Sequence, residues 1–102
     1  MGYYIGEIIK LRSKFFEASD KAEFSDALKF GNDMIRLYKD NNDCRSLEYA
    51  NDINNLAIIY DNIMSHQKAV ELYKEAAEIR GSAGGENSLA YADTLSYIVR
   101  YV

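Results

Sequence analysis

The sequence lacks proline and tryptophan altogether, and it has one cysteine, one histidine and six glycines in 102 residues. Proline breaks helix interiors and shapes the turns of β-sandwiches, so its absence suits long helices and argues against a turn-rich β fold. One thiol, Cys44, can form neither an intrachain disulfide nor a thiolate zinc site. No apolar run reaches the roughly 18 residues of a membrane span. Met1–Gly6 carries neither the charged start and cleavage site of a signal peptide nor the Ser or Thr of a myristoylation signal. Basic residues are scarce, twelve against sixteen acids for a net charge of −4. Nucleic acid or an anionic membrane would need a basic face, so neither is expected as a partner, and a soluble cytoplasmic chain is.

What is present points to a folded protein. Hydrophobic residues make up 48% and charged residues 27%, which argues against a disordered chain. The length allows one domain or one stretch of a repeat array, burying roughly 65% of its unfolded surface. Apolar residues follow helical spacing. From Tyr49 they fall at Ile53, Leu56, Ala57 and Tyr60, and from Tyr91 at Leu95, Ile98, Val99 and Val102, with the same offsets of 4, 7, 8 and 11. That is the stripe of an amphipathic helix. The pattern predicts five helices, at 3–18, 21–39, 46–62, 66–80 and 88–102. Asp20 with Glu23 reads as a capping box, and Ser46, Ser65 and Ser88 stand where an N-cap hydroxyl is useful. The Asp- and Asn-rich run 39–45 and the glycine-rich run 81–85 read as connectors.

The pattern repeats. Ser46, Leu47, Tyr49 and Ala50 recur as Ser88, Leu89, Tyr91 and Ala92, a shift of 42, and Ala27 recurs as Ala69 at the same shift. Two helices per 42 residues describe an all-α solenoid of antiparallel hairpins: 3–39, 46–80 and a half-repeat 88–102, in one domain. The run Asn54-Asn55-Leu56-Ala57-Ile58-Ile59-Tyr60, followed by Ala69-Val70-Glu71-Leu72-Tyr73-Lys74-Glu75-Ala76-Ala77-Glu78-Ile79-Arg80, resembles the tetratricopeptide repeat in its longer, kinesin-light-chain-like form. Three residues depart from that pattern. Met64 stands where the turn usually has glycine, and His66 where an aromatic usually packs. Gly31 lies inside the second helix, where it either permits a close contact or marks a weak repeat.

The chemistry-bearing residues do not compose an active site. Cys44 and His66 fall in different connectors, the glycine run lacks the Lys-Ser or Lys-Thr of a phosphate loop, and no pair of acids is singled out by spacing. No catalysis, metal or cofactor is expected. The resemblance implies instead that the first helix of each hairpin lines a concave, peptide-binding groove. Asn51, Asn54, Asn55, Ile58, Asp61 and Asn62 would face it from the central hairpin, Asp93, Ser96, Tyr97 and Arg100 from the third, and Arg12 and Phe16 from the first. Asparagine both donates and accepts, so it can pair with an extended backbone. The groove is not basic, which disfavours an acidic C-terminal tail and suits a neutral or basic peptide. The leading expectation is a non-catalytic protein- or peptide-binding scaffold. The alternatives are a self-association module, forming a homodimer through Leu95, Ile98 and Val102 of an apolar last helix, and the peptide-sensing part of a larger bacterial regulator.

Overall fold

The computed structural model describes residues 3–84, which form four α-helices: α1 (Tyr3–Asp20), α2 (Phe24–Asp40), α3 (Leu47–Asn62) and α4 (His66–Gly84). The described residues contain no strand. The expected helix 88–102 lies outside them, and with it Asp93, Ser96, Tyr97, Arg100, Leu95, Ile98 and Val102. α1 packs on α2, α2 on α3 and α3 on α4. None of the helices is long and apolar enough to cross a membrane.

The helix ends have local causes. α3 starts at Ser46, whose Oγ accepts from the Tyr49 amide at 3.2 Å, the cap expected of it. The expected capping box at Asp20 and Glu23 does not form. α1 runs through Asp20, and α2 begins after Glu23 with no side-chain cap. The cause is the way α1 closes. The Glu23 amide donates to the Ala18 carbonyl at 2.8 Å and the Ala22 amide to Ser19 at 3.1 Å, with Ala22 left-handed at φ 58°. This is a Schellman closure, in which a left-handed residue lets two amides satisfy the last carbonyls. Asn42 (φ 54°) and Met64 (φ 69°) close α2 and α3 with the same pair of bonds. The glycine-rich run also behaves differently from expectation. α4 continues through it to Gly84, because glycine weakens a helix by about 1 kcal/mol without forbidding it.

Met64 therefore accepts a conformation that glycine adopts freely, and its side chain is exposed. Met64→Gly should raise stability by about 0.5–1 kcal/mol, the left-handed penalty less the extra freedom of glycine in the unfolded chain. A urea melt that leaves the midpoint unchanged or lowers it would show that the methionine packs usefully.

The core runs through all four helices, with Phe15, Met34, Tyr38, Tyr49, Ile53, Leu56 and Tyr73 almost wholly enclosed. Tyr38 and Tyr49 meet edge to face, their ring centres 5.2 Å apart. Burial follows the 42-residue shift. The enclosed positions Ala27, Gly31, Met34 and Tyr38 of α2 correspond to Ala69, Tyr73, Ala76 and Arg80 of α4. In the first helices the match is partial. Ile8 and Phe15 of α1 correspond to the enclosed Ala50 and Ala57 of α3. The exposed Glu7, Lys10, Lys14 and Glu17, however, correspond to the enclosed Tyr49, Asp52, Leu56 and Ile59, because among the described residues no helix packs before α1.

Gly31 marks a close approach. A Cβ there would lie 2.6 Å from Leu56 Cδ1 and 3.3 Å from Phe15 Cε1. Residues from α1, α2 and α3 converge at this point, and a missing side chain is what lets them meet.

Candidate functional site

The residues expected to line a groove are distributed unevenly along α3. Asn55 and Ile58 are half-buried and Asn62 is exposed. Asn51 is exposed, and its side-chain oxygen accepts from Arg80 Nη2 at 2.6 Å, so this polar group is engaged within the hairpin. Asn54 is buried, 8% exposed, and belongs to the packing of the hairpin more than to its surface. Asp61 is half-buried, with one oxygen 2.9 Å from His66 Nδ1. Asn51, Asn55, Ile58 and Asn62 thus share one face.

A second set of open residues comes from α1 and is apolar. Ile5, Ile9 and Phe16 are all exposed and lie on one side of the helix, apart from the enclosed Ile8 and Phe15. Under the 42-residue shift they correspond to Leu47 and Asn51, which are also exposed, and to Ile58, which is half-buried. Sequence reasoning singled out Phe16 but missed Ile5 and Ile9. The available signal was two isoleucines four residues apart, out of phase with the Ile8–Phe15 stripe.

A charged tie joins α1 to α3. Arg12 of α1 grips Asp52 of α3 with two bonds, Nε to Oδ1 at 2.9 Å and Nη2 to Oδ2 at 2.7 Å. The Tyr38 hydroxyl of α2 donates to the same carboxylate at 2.5 Å. Asp52 is buried and its charge is matched by the guanidinium, a geometry that makes such a pair strong. The bond to Asp52 raises the Arg12 pKa further, so its charge is permanent. Arg12 was expected to contribute to a groove; its hydrogen-bonding capacity goes largely to the tie.

Beside the tie lies a cleft of about 110 Å³, bounded by Tyr4, Ile5, Ile9, Arg12, Asp43 and Glu48. The Tyr4 hydroxyl donates to Asp43. That bond, some desolvation and the charges of Asp43 and Glu48 all raise the Tyr4 pKa, in that order of influence for the bond first.

Cys44 and His66 are not brought together. The Cys44 thiol is pushed upward, mainly by burial, and has Tyr49 as a hydrogen-bond neighbour, whereas the His66 ring sits against Asp61. A raised thiol is less reactive, the reverse of what a nucleophile needs. Among the described residues there is no group of three His, Cys, Asp or Glu side chains placed to hold a metal.

The buried tyrosines give a pH signature. Burial, then hydrogen bonds to Asp52 and Glu75, lift the Tyr38 and Tyr49 hydroxyls well above the ordinary tyrosine range. The unfolded chain would ionise them near pH 10. Their folded pKa values are raised, so the native state holds protons that the unfolded state has released. Their contribution is complete below about pH 10 and is lost as the pH rises beyond it. Tyrosinate absorbance should therefore show a late step coincident with alkaline unfolding, and Tyr49→Phe should shrink that step. All tyrosines titrating near their ordinary value in a still-folded chain would contradict it.

Compared with family models and with curated proteins, the chain matches none.

Proposed function

We propose that the chain is a tetratricopeptide-like helical-repeat scaffold, cytoplasmic and non-catalytic, that binds a protein or peptide segment along the face shared by α1 and α3. The observation carrying this reading is the 42-residue register. Equivalent positions of the two second helices are buried, and equivalent positions of the two first helices, Ile5 with Leu47 and Ile9 with Asn51, stay open, with Phe16 open and its counterpart Ile58 half-buried. Stacked hairpins of this kind form a solenoid whose first helices line one continuous surface. The half-buried Asn55, flanked by Ile58 and Asn62, offers a donor and an acceptor to an extended backbone.

The test is selection of peptides from a random display library on the full chain, followed by calorimetry. Asn55→Ala should weaken a selected peptide several-fold and leave the melting temperature almost unchanged. A selection that yields no peptide, or peptides indifferent to every substitution on this face, would refute the reading.

A further inference from the structure

Resting on that reading, we propose that the cleft between α1 and the start of α3 selects partner segments presenting an aliphatic side chain next to a lysine or arginine. Ile5 and Ile9 are 46% and 56% exposed, a large share for isoleucines one helical turn apart. They border a hollow of about 110 Å³, well beyond the roughly 10–15 Å³ that admits a single water, so one branched aliphatic side chain fits between them. Covering both isoleucines removes apolar surface from water, which is the main source of favourable energy in such contacts.

Charge then decides what accompanies the aliphatic group. Three acidic or basic side chains bound the hollow: Arg12, Asp43 and Glu48. Arg12 is cancelled by the two-bonded Asp52 beneath it. Asp43 accepts only a neutral hydroxyl from Tyr4 and keeps its negative charge uncompensated by that bond. Glu48 is exposed and stands one residue into α3. Both carboxylates push the Tyr4 pKa upward, so they act on the same spot. The hollow is thus apolar along α1 and negative along its other rim. A cation beside an aliphatic group complements both halves, whereas an acidic segment would meet two carboxylates with no free cation lining the cleft.

The test uses twelve-residue peptides selected from a random display library on the full chain, with affinities measured by calorimetry. Selected sequences should share a Leu, Ile, Met or Val adjacent to a Lys or Arg. Ile9→Ser and Glu48→Lys should each weaken such a peptide by about tenfold, and binding should fall as salt rises. Ile9 is exposed, so Ile9→Ser should melt close to the parent, while Glu48→Lys, which puts a cation in the first turn of α3, should melt slightly lower and Glu48→Gln less so. Glu48→Gln serves as a milder second variant, with a smaller loss expected in the same direction. Peptides that bind but depend on Asn55 and not on Ile9 or Glu48 would overturn this inference and leave the groove reading standing. Acidic selected sequences would overturn it too, and a selection yielding no peptide would overturn both.

Discussion

Replacing Arg12 with methionine should cost about 3 kcal/mol of stability, more than any substitution on the exposed face. Methionine keeps most of the aliphatic stem and its packing, but it withdraws two charged hydrogen bonds from Asp52, which is 4% exposed. The carboxylate is left buried with the Tyr38 hydroxyl as its remaining partner in the tie. Removing one member of a buried pair costs about 3–5 kcal/mol, and the lower end applies because the Arg12 side chain is itself 29% exposed and water reaches it. Arg12→Met combined with Asp52→Leu should recover much of the loss, since no orphaned charge remains. Urea melts of the parent, both single variants and the double variant close the cycle. Additive losses would mean that the two residues do not depend on each other.

The second large effect centres on Gly31. Leu56→Ala should cost about 2–5 kcal/mol, because it deletes an enclosed side chain at the junction of three helices. Gly31→Ala in the parent should also destabilise. Alanine favours a helix over glycine by about 1 kcal/mol, but its Cβ would press to 2.6 Å from Leu56 and 3.3 Å from Phe15. With Leu56 already truncated, the nearer obstacle is gone, and the same Gly31→Ala change should become stabilising by about 1 kcal/mol. The sign of one substitution thus reverses with its neighbour. Thermal melts decide it: Gly31→Ala stabilising in both backgrounds would show that Leu56 gives way easily and the close approach is loose.

Much of the fold was legible because periodicity is local. The stripe over Tyr49, Ile53, Leu56 and Ala57 is enclosed as its spacing demanded, and the Ser46 cap forms. The start of α2 was misread for a physical reason. A left-handed glycine or asparagine announces a helix end, as Asn42 does, but Ala22 carries no such mark. The acid-rich stretch around it therefore looked like a cap. The candidate site was less legible still. Arg12 and Asp52 are forty residues apart in the chain and meet only because two hairpins stack, and no spacing rule joins them. Asn54 and Asn55 are neighbours of one residue type, yet the first is buried and the second half-open. A single step around a helix separates those fates, and only the packing partner on the far side decides between them.

The position of the Arg12–Asp52 tie has a mechanical consequence. Gly31 draws α1, α2 and α3 together from within the core, while the tie joins α1 to α3 beside the open cleft. One contact resists compression and the other resists splaying, so closing the two hairpins together presses a side chain into Gly31 and parting them breaks a charged bond. Both motions that would change the spacing between the Ile5–Ile9 wall and Glu48 thus cost energy before anything docks. A segment entering the cleft meets a jaw that resists a change of gape and forfeits little of its binding energy to ordering the surface it lands on.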